Sequence, residues 1–207
     1  MDLQQIRAAV DGHEAELILP EKPRYTAVLM PLVEKDGALH VLFEKRSAAV
    51  AQAGEVSFPG GHVEAGETSA ETAVRETCEE LLLRPEQVEL LCPLHRMADR
   101  GKLVIDSFLG VLHGYEGSFS PEEVEQVFTL PLDWLLNNPP RIYDAAMRFQ
   151  MAEDFPYELI PGGRNYPFLR QPKHMYFYLS EQPVIWGLTA ELLYRACELL
   201  RRRLSGI

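Results

Sequence analysis

Between Gly61 and Leu83 the chain reads GHVEAGETSAETAVRETCEELLL, and this stretch limits the possible folds more than any other. Thr68 followed by Glu71 fits a capping box, with Ser69 as the competing N-cap, so the spacing predicts a helix starting here. Pro85 limits it to about Leu83. At about 100° per residue, Glu76, Glu79 and Glu80 fall within an arc of about 100°. Ala70, Ala73, Val74, Thr77, Cys78 and Leu81 lie on the opposite, mostly apolar side. One face can therefore pack on a core while three acids gather on the other.

Two readings of those acids stand side by side. Acids on an amphipathic helix are commonly solvated charge, and Arg75 with Glu79 has the spacing of an ordinary i,i+4 pair. Alternatively, three like charges on one arc repel unless something neutralises them, and a divalent cation does so. Mg²⁺ takes oxygen ligands and keeps waters that a phosphate can displace. The surroundings favour the second reading. Phe58-Pro59-Gly60-Gly61 leads into the stretch, and seven residues separate Glu67 from Arg75.

This pattern resembles the Nudix box: Gly61, Glu67, Arg75, Glu76, Glu79, Glu80 and Leu83 stand at its fixed positions. Thr77 stands where an aliphatic residue is usual, and Leu82 replaces the final glycine, which bears on how the helix ends. The resemblance implies Glu76, Glu79 and Glu80 as metal ligands for Mg²⁺ or Mn²⁺, with Glu76 or Glu80 also the base that activates water. It implies Glu67 and Arg75 as a supporting ion pair, and a carbonyl of Gly60 or Gly61 in the metal's shell. The glycines also read as a turn needing positive φ.

Upstream, Arg46-Ser47 and Gly54-Glu55 before Phe58-Pro59-Gly60-Gly61 resemble a motif of the coenzyme A diphosphatase branch. The segment from Arg46 to Gly61 is one residue shorter than usual there, and Ala51 and Ala53 stand where basic or His residues are frequent. Trp186-Gly187-Leu188-Thr189-Ala190 is similar to a C-terminal signature of the same branch. The implied reaction is metal-dependent hydrolysis of the diphosphate of coenzyme A or an acyl-CoA, giving 3′,5′-ADP and (acyl-)4′-phosphopantetheine. Arg46, Ser47, Gly60 and Gly61 are then candidate substrate contacts, a guanidinium suiting phosphate. Two other readings remain: another nucleoside diphosphate derivative such as ADP-ribose or NADH, or a non-catalytic binding module of the same fold. The second of these would be expected to have lost the acids.

With 207 residues, the chain reads as an N-terminal extension over 1–24 and a single domain over 25–207. The net charge of −11 argues against a nucleic-acid partner and leaves a small molecule as the expected one. An anionic substrate must then meet local cations, for which Lys45, Arg46, Arg96, Arg100 and Lys102 are candidates. Acids outside the box that might assist are Glu122, Glu123 and Glu125, which equally suit a solvated helix start. No apolar run approaches the ~20 residues of a membrane span. Three widely spaced cysteines and a start without an apolar signal core point to buried thiols in the cytoplasm. The oligomeric state stays open, a homodimer included.

Along the chain, Leu3 to Val10 reads as a helix, and the stretch from there to Arg24 as loop. Tyr25–Val33 and Leu39–Glu44 read as strands joined at Lys35-Asp36-Gly37. Further strands are expected at 56–58, 88–95, 104–113, 142–149 and 175–179, with a turn over 99–102. A short helical or turn segment is expected at Pro121–Glu125, and helices at Leu132–Leu136 and Thr189–Leu204, with Thr189 a candidate cap for the last. Strands mixed with few helices imply an α+β protein, and the resemblance implies the Nudix α/β/α sandwich on a mixed β-sheet.

Overall fold

Strand β1 (Arg24–Lys35) is the spine of the molecule, buried on both faces along most of its length, which is why its sequence is a nearly continuous apolar run. The computed structural model describes residues 2–12, 22–99, 102–168 and 171–206. Asp36 and Gly37, both at positive φ, make the two-residue turn into β2 (Ala38–Arg46). The hairpin pairs only at its closed end, Leu32–Lys35 against Ala38–Val41. Further back, Thr26–Val28 pair with β4 (Gly60–His62), while Glu44 and Lys45 pair with β3 (Val56–Ser57). β1 and β2 thus diverge, and the segment carrying Phe58 to Gly61 fills the wedge.

β6 (Leu103–Leu112) runs parallel to β1, and the edge strand β5 (Val88–Asp99) runs antiparallel to β6. β7 (Val124–Pro131) closes the other side against β2. The seven strands form a mixed sheet between two layers. On one face lies α2 (Ser69–Leu81), over Ala27, Leu29, Leu42, Phe108 and Leu112. On the other lie α3 (Leu132–Asn137), α4 (Gly187–Leu204) and a small sheet of β8 (Arg141–Met147), β9 (Gln171–Tyr178) and β10 (Ile185–Trp186). There Met30, Val41, Phe43 and Leu109 meet Tyr176, Tyr178, Leu193 and Ala196. Alternate residues of each strand serve alternate faces, so both layers can be apolar. This is the expected α+β sandwich. α1 (Leu3–Val10) is capped by Asp2.

Several expectations change. Of the helix-or-turn alternatives at Pro121–Glu125 the turn is the one formed, over 121–123, and it gives way at Val124 to β7, whose Val124, Phe128 and Leu130 alternate inward against β2. Thr189 does not cap α4, which starts at Gly187 with Trp186 in the cap position. Of the cysteines only Cys197 is buried; Cys92 is exposed beside a register shift on edge strand β5, and Cys78 is intermediate. Residues 13–21 of the expected loop, and Arg100–Gly101 of the expected turn, lie outside the described residues.

Candidate active site

The acids of α2 do not share one solvated face. Thr72, Ala73, Thr77, Glu80 and Leu81 define the helix side against the sheet, and Glu80 lies within about 20° of the middle of that arc. Glu80 is 2% exposed. The Glu76 side chain keeps 16% of its exposure and that of Glu79 keeps 54%. Glu80 is beneath the helix, Glu76 on its flank and Glu79 outside. This is possible because α2 lies over the wedge, where the sheet offers polar atoms as well as an apolar wall.

Gly60 supplies one of those atoms: its N–H donates to the Glu80 carboxylate at 2.8 Å. The two glycines make room for different neighbours. At Gly60 (φ +154°) a Cβ would lie 2.2 Å from the Ala27 carbonyl oxygen; at Gly61 it would lie 2.2 Å from Glu76 Oε1. The Glu76 carboxylate occupies the space where a side chain at 61 would begin.

A fourth acid was missed. Glu44 is fully buried near the end of β2, accepts a hydrogen bond from the Ser57 hydroxyl at 2.9 Å, and leaves Oε2 without a partner. Strand alternation could have found it: Val41 and Phe43 face the α4 layer, so Leu42 and Glu44 face α2. Burial raises the carboxyls of Glu44, Glu80 and Glu76 above their ordinary range, and the negative neighbours raise them further, Glu44 and Glu76 both acting on Glu80.

Arg75 is the counter-charge. Its Nε and Nη2 grip Glu67 at 2.9 and 3.1 Å, and its Nη1 donates to Glu76 at 3.0 Å and to Glu79 at 3.1 Å. Nη2 also reaches the His62 carbonyl at 3.3 Å, tying the helix to β4. Glu67 and Arg75 are thus in direct contact, and Thr72, which donates to Glu67 at 2.7 Å, joins them. These bonds, Arg75 first and Thr72 second, hold the Glu67 carboxyl down to about 2.

The loop before β7 clasps the site. Ser118 and Ser120 donate to the carbonyls of Leu81 and Glu80, satisfying the end of α2. Ser47 is buried, and its hydroxyl and N–H donate to the carbonyls of Glu122 and Glu123 at 2.6 and 2.9 Å. Its hydroxyl therefore serves the loop. Leu82 ends α2 at φ +53°, performing the turn usually given to glycine.

The expected cations are not all at the mouth. Arg46 is held by the Ala51 carbonyl at 2.9 Å, with Nη1 3.9 Å from Glu44, so it overlooks the wedge. Lys45 pairs with Glu125, and Arg96 makes a bidentate pair with Asp106. Lys102 sits at positive φ in the turn before β6. Arg100 lies outside the described residues. Of the assisting acids, Glu123 acts electrostatically on Glu44 and Glu76, while Glu125 is engaged by Lys45.

Among the described residues, no three His, Cys, Asp or Glu side chains close around one point. Arg75 draws Glu76 and Glu79 towards itself. The donor set nonetheless suits a hard divalent cation: Glu44 and Glu76 lie near enough to act on Glu80, one buried oxygen lacks a partner, and Gly61 leaves the Glu76 carboxylate its space.

A mixed sheet between helical layers, with an acid-bearing helix closed on a glycine turn, is an arrangement suited to a divalent cation and a phosphate substrate. The NUDIX domain model matches residues 23–150, and the chain belongs to the Nudix family of pyrophosphohydrolases, which use divalent metal ions. It is 34% identical over 132 residues to a peroxisomal coenzyme A diphosphatase of Mus musculus, covering 62% of this chain and 55% of that protein. It is 32% identical over 200 residues to a mitochondrial coenzyme A diphosphatase of Homo sapiens, covering 91% and 77%. These similarities group it with that branch. A MutT/nudix family protein from Enterococcus faecalis shares the fold, with TM-score 0.52 and 17% identity over 98% of this chain and 70% of that one. No helix among the described residues is long and apolar enough to cross a membrane.

Proposed function

We propose that this chain hydrolyses the diphosphate bond of coenzyme A or an acyl-CoA, with Mg²⁺ or Mn²⁺, to 3′,5′-ADP and (acyl-)4′-phosphopantetheine. The observation that carries the chemistry is the inward pair Glu76 and Glu80, set against Gly60 and Gly61 by the Gly60 N–H and the vacant Cβ position of Gly61. The choice of substrate rests on the likeness to the two coenzyme A diphosphatases and on Arg46 above the wedge.

In this reading Glu76, Glu79 and Glu80 hold the cation, and a Gly60 or Gly61 carbonyl adds to its shell. When bound, the ion polarises the phosphate and acidifies water. Glu76 or Glu80 accepts the proton of the attacking water, burial having raised both carboxyls above their ordinary range. Arg75 must loosen from Glu76 and Glu79 while keeping its double bond to Glu67, so α2 stays oriented as the acids change partner. Arg46, already fixed by Ala51, offers its remaining N–H groups to the substrate's phosphates. Ser47 acts from behind, by holding the loop that closes α2.

Residues 1–24 stand as an extension to one domain over 25–207. The family match begins at residue 23, and α4 shares a core with β1 and β2. Three free thiols suit a reducing compartment, and the cytoplasm remains the proposed one. The deciding experiment incubates the protein with Mg²⁺ or Mn²⁺ and coenzyme A, acetyl-CoA, ADP-ribose, NADH and nucleoside triphosphates, and identifies products by mass. Release of 3′,5′-ADP is expected. Rapid cleavage of ADP-ribose with coenzyme A left intact would overturn the substrate.

A further inference from the structure

Glu44 has no place in the helix pattern that defines the family, yet it is among the most completely buried charged side chains described. A carboxylate with an unmatched oxygen is costly inside a protein. A cation relieves this cost only in part: Arg46 Nη1 stands 3.9 Å from Oε1, and its Nε is turned to Ala51. The bond that Glu44 does make fixes its direction. Ser57 Oγ, on the adjoining strand β3, donates to Oε1 at 2.9 Å and leaves Oε2 free. Strand phase turns the side chain to the α2 face, the side on which Glu80 is buried. The Gly60 N–H holds Glu80 Oε2 from β4, one strand away across the same wedge. Two buried carboxylates thus approach from opposite sides, one from the sheet and one from the helix, with Glu76 on the flank.

We propose that Glu44 is a further ligand of the divalent cation, supplied by the sheet through Oε2, and that Ser57 is the positioning residue that aims it. This rests on the reading of α2 as the metal helix and extends it: the ion is gripped between helix and sheet. Binding then locks α2 onto β2, which makes metal loading a structural event as well as a catalytic one. Ser57→Ala removes only the aiming hydroxyl and has a smaller effect than loss of the carboxylate.

The test is Mn²⁺ titration of the metal-free full chain by calorimetry, with the Mn²⁺-induced rise in Tm as a second readout, on wild type, Glu44→Gln, Glu80→Gln and Ser57→Ala. Loss of an outer-shell partner typically weakens affinity by about 10- to 100-fold, and loss of a ligand by at least as much. The expected result is weakening of about 100-fold or more for Glu44→Gln, with a reduced Tm response, and of about 10-fold for Ser57→Ala. If Glu44→Gln binds Mn²⁺ like wild type while Glu80→Gln does not, Glu44 is a neutral buried acid and the proposal falls, leaving the helix site intact. If neither variant alters binding, the helix reading itself is wrong. Should Glu44→Gln fail to fold, by circular dichroism, Glu44→Asp decides: it keeps the charge one methylene short, and unchanged affinity overturns the proposal.

Discussion

The two faces of the central sheet are built on opposite terms. Under α4 the sheet buries Met30, Val41, Phe43 and Leu109 against Leu193, Ala196 and Cys197, an apolar interior. Under α2 the same strands bury Ala27, Leu29 and Leu42, but also Glu44, and the helix brings Glu80 and Glu76. One face concentrates stability; the other gives up some of it to hold carboxylates apart from water, as a cation site would require. The difference originates in the divergence of β1 from β2, which exists only on the side where β3 and β4 fill the gap.

The comparison breaks most sharply at its centre. Glu80→Gln is expected to lower kcat by on the order of 100-fold or more, while the metal-free protein melts no lower than wild type because a buried like-charge contact is gone. A steady-state assay paired with thermal melting checks both halves; unchanged turnover would sink the assignment of the site. On the other face, Leu193→Ala should lose about 3 kcal/mol in urea unfolding and keep its kcat. A large drop in kcat there would mean the two faces are not independent.

Smaller effects sharpen the line. Gly61→Ala pushes a methyl into the Glu76 carboxylate, and turnover should fall by about 10- to 100-fold with the fold retained. Normal turnover would show that Glu76 can move aside. Asp106→Asn probes how the α2 layer is attached by charge. Arg96, with help from Ser69, holds the Asp106 carboxyl below its ordinary value. A depressed folded-state pKa contributes stability above the unfolded value near ~3.9, and that contribution is lost as pH falls through the folded one. The variant should therefore be less stable at pH 7 by about 1 kcal/mol, the exposed guanidinium being screened. The gap should narrow as pH falls below the unfolded value and close once Asp106 is protonated in the folded protein, as read by unfolding at stepped pH. Least of all, Leu82→Gly relieves a left-handed residue that is 60% exposed and should raise stability by up to about 1 kcal/mol without altering kcat.

Much of this was legible in order of residues alone, wherever the physics is local. The capping box at Thr68 and Glu71, the Asp36-Gly37 turn and the doubly buried run of β1 depend on neighbours a few positions apart, and all three appear in place. The family pattern belongs to the same kind of information, because its spacing is set by one helix and one turn. Where reading by neighbours failed, a distant strand had decided the matter. Val124 became a strand because β2 needed a partner, and Arg96 turned to Asp106 across a β-ladder instead of to a substrate.

The sequence by itself determined that Glu76, Glu79 and Glu80 ride one helix behind a glycine turn, since helical period and capping require nothing beyond the segment. Only the tertiary structure decided which way each points. Glu80 is buried because α2 lies across the wedge between β1 and β2, and Glu44 faces it because β2 carries that phase into the same gap. Burial is a relation between segments far apart in the chain, and carboxylates have their chemistry changed by burial more than by anything adjacent to them in sequence.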